Sequence, residues 1–160
     1  MAIVFVRIDD RLIHGQVVEG WIPYLDVNEV VVINEDAAQD EIRKTLMRLS
    51  LPDEIGLEIM DAKEGALYLN KNASSAKRTL VLLASPEEAV NLIKNGYKPG
   101  SINVGGMHYS VGRTQIGRAV FLDDENIKCL KAIAENGVKL EGRGVPSDSA
   151  RNFLDVFGNK

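Results

Sequence analysis

Residues 79–96 read T-L-V-L-L-A-S-P-E-E-A-V-N-L-I-K-N-G, and their order decides the fold class. Thr79–Ala84 is almost unbroken in its apolar character, the mark of a strand buried on both faces. Ser85, Pro86, Glu87 and Glu88 then supply an N-cap, a proline at the first helical position and acids in the first turn. Helical spacing continues to about Asn95, and Gly96 reads as the residue that ends the helix.

The same unit recurs on both sides. Upstream, Ala2–Ile8 is a near-continuous apolar strand, and Gly15–Tyr24 carries Val17, Val18, Trp21 and Ile22 at helical spacing. Val27–Asn34 reads as strand, Asp40–Ser50 as helix, Ile55–Met60 as strand and Ala62–Leu69 as helix. Downstream, Ser101–Val104, Ala119–Leu122 and Val138–Glu141 read as strands. Asp123–Asp124–Glu125 open a helix through Glu135, and a last helix is expected over Ser147–Phe157, capped by Ser147 and Asp148. Apolar strands alternating with amphipathic helices predict an α/β fold. It is expected as one open doubly wound domain over residues 1–160. Its mostly parallel central sheet has six or seven strands, with helices on both faces. Asn70–Arg78 reads as a polar loop within it.

Composition narrows the function. The chain has 160 residues, enough to bury about 70% of its unfolded surface without staples. With 19 Lys+Arg against 23 Asp+Glu the net charge is −4, which argues against broad nucleic-acid binding. A single cysteine excludes an internal disulfide and a multi-cysteine zinc site. The longest apolar runs, Val30–Ile33 and Leu80–Ala84, are far shorter than a membrane span, and Met1–Ile8 reads as a strand rather than a secretory signal. A cytoplasmic protein is expected.

In open α/β sheets, ligands bind beyond the carboxyl ends of the strands. The first such end carries R-I-D-D-R-L-I-H-G-Q-V, from Arg7 to Val17. It lacks the glycine-rich phosphate cradles of dinucleotide and P-loop proteins. It offers instead a histidine, His14, whose neutral imidazole can attack phosphorus. Arg11 brings a planar, permanently charged fork suited to phosphate oxygens. Asp9 can hold the loop, orient a ring nitrogen or fix the arginine; Gly15 allows close backbone approach, and helix-one amides could receive an anion. A lone histidine in such a loop is equally often a cap or a solvated residue, and an Asp-Asp-Arg turn a local ion pair. Asp10, and His108 in the later G-G-M-H turn, are candidates for support behind His14. Neither histidine shows metal-ligand spacing, so no metal is expected.

The stretch Arg7–Val17 resembles the N-terminal signature of the mannose/fructose/sorbose family of phosphotransferase-system (PTS) IIB components. Ser101–Arg113, S-I-N-V-G-G-M-H-Y-S-V-G-R, resembles a second motif of that family, and Gly142–Val145 with Pro146 and Asp148 a third. The resemblance spans nearly the whole chain. It implies a subunit that accepts a phosphoryl group from a phosphohistidine on a IIA protein or domain. The group then passes to a sugar bound by the IIC and IID membrane subunits. His14 is implied as the phosphorylated residue through Nδ1, Arg11 and Asp9 as its catalytic partners, and Arg11, Gly15 and Gln16 as the phosphate-facing set. No cofactor is implied. The chain is expected to be cytoplasmic and to meet the membrane permease only peripherally, through those partners, with self-association left open. Two other readings of the residues stand beside this one: a hydrolase that releases a transient phosphohistidine to water, and a regulatory module that grips a phosphorylated ligand without chemistry.

Overall fold

The computed structural model describes residues 3–117 and 119–153. Along the chain come β1 (Ile3–Asp9), a π-helical segment (Gln16–Trp21) running into α1 (Ile22–Leu25), β2 (Glu29–Ile33), α2 (Glu35–Ala38) and α3 (Glu41–Ser50). Then follow β3 (Gly56–Met60), α4 (Ala62–Lys71), β4 (Arg78–Leu83), α5 (Pro86–Lys94) and β5 (Ser101–Gly106). The last are β6 (Thr114–Gly117), β7 (Val120–Leu122), α6 (Asp124–Glu135), β8 (Lys139–Gly142) and β9 (Arg151–Asn152). The central sheet has seven strands in the order β3-β2-β4-β1-β5-β8-β9, parallel except for β9, which pairs antiparallel to β8. β6 and β7 form a separate antiparallel pair.

The β-branched and leucine runs form these strands because both sides of each are covered. Val30 and Val32 of β2 and Leu80 and Leu82 of β4 pack on one face with Val17, Ile22 and Leu51. Their neighbours Val31, Ile33, Val81 and Leu83 pack on the other with Leu69, Leu92, Leu130 and Ile133 from α4, α5 and α6. Each such side chain contributes about 1.5–3 kcal/mol by leaving water. The chain leaving β1 covers the first face, whereas the helices that follow the neighbouring β4 and β5 cover the second. The carboxyl end of β1 is therefore a place where the connections part to opposite faces of the sheet, the kind of position at which open α/β sheets bind ligands.

Ser85 caps α5 as expected, accepting from the Glu88 N–H at 3.3 Å. Gly96 ends that helix with φ +106°, its N–H donating to Ile93 and that of Tyr97 to Leu92 in a Schellman closure. α3 also stands where expected, yet its apolar Ile42, Leu46 and Leu49 face outward.

Three expectations are corrected. The helix over Gly15–Tyr24 is π-helical from Gln16 to Trp21 before it becomes α. The region around Ala119–Leu122 is a hairpin of two strands, not one. The helix expected over Ser147–Phe157 is not formed over residues 147–152. Asp148 does not cap forward; its carboxylate turns back to accept from Gly144 and Val145 N–H groups, and the open edge of β8 draws Arg151–Asn152 into antiparallel pairing. Residues 154–157 of that expectation lie outside the described residues.

Candidate active site

β1 pairs with β5 from Arg7 to Asp9, which stands opposite Gly106 after a register shift between Ile8 and Asp9. Arg7 and Asp9, two apart and so on the same side of the strand, are both fully buried. Arg7 Nη2 donates to Asp9 Oδ2 at 3.0 Å and to the Gly144 carbonyl at 2.9 Å. Its Nη1 donates to Asn103 Oδ1 at 2.5 Å and to the Arg143 carbonyl at 2.9 Å. The guanidinium lies 5.0 Å from the centre of the buried Trp21 ring, whose Nε1 donates to the same Gly144 carbonyl at 3.1 Å. A Cβ on Gly105 would sit 2.0 Å from Arg7 Cζ, so only glycine leaves room for this group.

The chain then doubles back. Leu12 is left-handed at φ 58°, with its N–H on the Asp9 carbonyl at 2.9 Å. That conformation costs a leucine about 1–2 kcal/mol, which burial of its side chain in the core offsets. The turn folds two functional groups onto Asp9. Arg11 donates to Asp9 Oδ1 from its backbone N–H at 3.1 Å and from Nε at 3.3 Å. Its Nη2 lies 3.4 Å from Asp9 Oδ2 and donates to Gln16 Oε1 at 3.0 Å. His14 Nε2 lies 3.0 Å from Asp9 Oδ2, and the His14 carbonyl receives the Val17 and Val18 N–H groups that start the π-helical segment. Single π turns recur at functional sites.

Burial on its own would raise the Asp9 carboxyl. Hydrogen bonding and charge from His14, with Arg11 and Arg7 behind them, overcome that and hold it well below the usual carboxylate range. An ionised carboxylate only accepts, so the proton that His14 presents to it sits on Nε2, and in the neutral ring the lone pair is then on Nδ1. Among the described residues Nδ1 has no protein partner.

Asp10 serves a second loop. Its carboxylate receives the His108 backbone N–H at 2.7 Å and meets His108 Nδ1 at 2.5 Å, and Arg113 approaches it at 3.7 Å. Asp9 and Asp10 thus each hold one histidine, by opposite ring nitrogens. His108 is bonded to Asp10 and not to His14. Gln16 touches Arg11, and a Cβ placed on Gly15 would meet open space. A cavity of about 220 Å³ beyond β2, lined among others by Asn34, Asp36, Asp61 and Glu88, includes none of these residues.

Sequence reasoning missed Arg7, Asn103 and the Gly144 carbonyl. An arginine among the apolar residues of β1, on the same side as Asp9, was the available signal for the first.

The sequence matches the family described as PTS system sorbose subfamily IIB component over residues 3–160. This chain belongs to that family. The IIB assignment extends to individual relatives. A fructose-specific EIIB component of Bacillus subtilis is 34% identical, over 99% of this chain and 98% of that protein. The mannose-specific EIIAB component of Escherichia coli K12 is 33% identical over 98% of this chain, a match that spans 49% of that longer protein. In three dimensions this IIB chain is similar to the IIB domain of the sorbose permease from Klebsiella pneumoniae, with a TM-score of 0.91 and 30% identity over 100% of this chain and 98% of that one. The seven-stranded, mostly parallel sheet of this chain is thus the fold that it shares with that IIB domain.

Proposed function

We propose that His14 accepts a phosphoryl group on Nδ1 from a phosphohistidine of an A-type partner and hands it on to a sugar held by membrane subunits. The observation that carries this is the Asp9–His14 contact, which occupies Nε2 and leaves Nδ1 the only ring nitrogen with a lone pair. The E. coli relative, an EIIAB component, supports an A-type partner.

On acceptance, the N–P bond of the donor breaks and its electron pair returns to the donor imidazole. The His14 Nδ1 lone pair forms the new N–P bond. His14 becomes an imidazolium with its proton still on Nε2, and the Asp9 carboxylate 3.0 Å away offsets that positive charge. Phosphoryl transfer passes through a loose in-line transition state governed by positioning and electrostatics. Arg11 stands partly exposed at the same carboxylate, with Nη1 unpartnered among the described residues, and can turn that nitrogen to the phosphoryl oxygens. On handing on, a sugar hydroxyl oxygen attacks phosphorus and loses its proton to a base at the membrane partner or to solvent, while the N–P bond breaks and its electron pair returns to Nδ1. In this reading the chain works at the cytoplasmic face and reaches the membrane through its partners. No helix among the described residues is long and apolar enough to cross it.

Incubation with phosphoenolpyruvate, enzyme I, HPr and a matching IIA, followed by intact-mass spectrometry, tests the proposal. The expected result is one added phosphoryl group, lost in acid, stable in base and absent in His14→Ala. A gain that survives in His14→Ala, or no gain in the wild type, would refute it.

A further inference from the structure

The chemistry at His14 depends on Asp9, and Asp9 is held by a residue that touches no reacting atom. We propose that Arg7 is a positioning residue. Its buried guanidinium fixes the Asp9 carboxylate so that His14 is presented in one orientation and one tautomer, proton on Nε2. The inference rests on the His14 reading above and adds to it the residue on which the acceptor geometry turns.

Arg7 is fully buried, a costly place for a cation unless each polar group finds a partner. Its two terminal nitrogens make four bonds, to Asp9, to Asn103 on β5, and to the carbonyls of Arg143 and Gly144 after β8, while Nε is buried without a partner among the described residues. Trp21 covers the guanidinium at 5.0 Å, and Gly105 gives it space. Three separate segments therefore fix the fork, and the fork fixes Asp9. Packing alone does not call for this arrangement, because well-fitted apolar side chains commonly match or exceed a buried ion pair in stability. Phe5, two residues before Arg7 and on the same side of β1, stacks on Trp21 at 5.0 Å and shows that this face accommodates an apolar side chain.

Arg11 cannot do the same work. Its side chain is 37% exposed, and the phosphoryl group that it would bind draws it away from Asp9 at the moment of transfer. Arg7 has no such competing partner, so it holds the carboxylate through the whole cycle.

The test compares wild type, Arg7→Met and Arg7→Lys by ¹⁵N NMR of the His14 ring above its titration, with steady-state transfer from phospho-IIA alongside. Wild type should show the single tautomer protonated at Nε2. Arg7→Met should show mixed tautomers and a kcat lowered by about 10–100-fold, the usual scale for losing a supporting residue, at near-constant KM. Arg7→Lys retains a cation but not the two-nitrogen fork. It should fold even where Arg7→Met does not, and show a smaller shift in the same direction. A folded variant that keeps the single Nε2–H tautomer and wild-type kcat would overturn the proposal. The tautomer readout needs no phosphoryl donor, so a wild type that shifts its tautomer with Arg7 yet never labels on His14 would sink the transfer reading and leave the positioning role standing.

Discussion

Asp9 and His14 meet through Oδ2 and Nε2 at 3.0 Å, with the carboxylate fully buried and the imidazole at the rim. The contact selects which ring nitrogen faces outward. In the proposed transfer it would also place a negative charge where the phosphorylated ring turns positive.

Replacing Asp9 by Asn keeps the shape and removes the selection, because an amide both donates and accepts. Phosphoryl acceptance by Asp9→Asn should fall by about 10²–10⁴-fold, the range from a lost supporting residue to an amide in a catalytic triad. Rapid-quench labelling from phospho-IIA measures it. Wild-type rates in this variant would show that Asp9 serves the loop rather than the reaction.

Arg11→Lys keeps the charge and loses the fork that spans Asp9, Gln16 and the open side of the site. Transfer should slow by about 10²-fold, the loss on removing one preorganised donor, with little change in KM for phospho-IIA. If neither parameter moves, Arg11 only braces the turn.

His108 is tied to Asp10 through Nδ1 and stands apart from the Asp9 group. His108→Ala should therefore still be phosphorylated at His14, as read by intact mass. Complete loss of labelling would move His108 into the reacting set.

Glu88 offers a pH test away from the site. Burial pushes its carboxyl up from 4.5 to about 7. Asp36 and Glu87 add to this, against hydrogen bonds from the Ala84 N–H and Asn34. The folded state therefore binds its proton more tightly than the unfolded chain. Its contribution to stability is full below pH 4.5 and is lost as pH rises toward 7, on the order of 3 kcal/mol in total. Urea midpoints measured from pH 4.5 to 8 should fall in the wild type and flatten in Glu88→Gln. Equal slopes in the two proteins would contradict the assignment.

The sheet was legible where a strand is buried on both faces, because Val30–Ile33 and Leu80–Leu83 leave no polar alternative. The α5 boundaries were legible because Ser85, Pro86 and Gly96 each have a local reason to be there. Long-range partners decided the rest. Val17 and Trp21 are four residues apart, which suits an α-helix as well as the π turn, so periodicity could not separate the two. Ser147 and Asp148 look like a cap, but the free edge of β8 and the amides of Gly144 and Val145 outbid it. At the site, Asp9, Arg11 and His14 were readable because they lie within six residues. The Arg7–Asn103 and Asp10–His108 bonds join residues 96 and 98 apart, and strand order alone brings them together.

The most direct measurement of the central claim is ³¹P and ¹⁵N NMR of the chain phosphorylated by phospho-IIA, which identifies the atom that bears phosphorus. Phosphorus on Nδ1 of His14, with the proton retained on Nε2, is the predicted result. Phosphorus on Nε2, or on any other residue, would contradict the role given to Asp9.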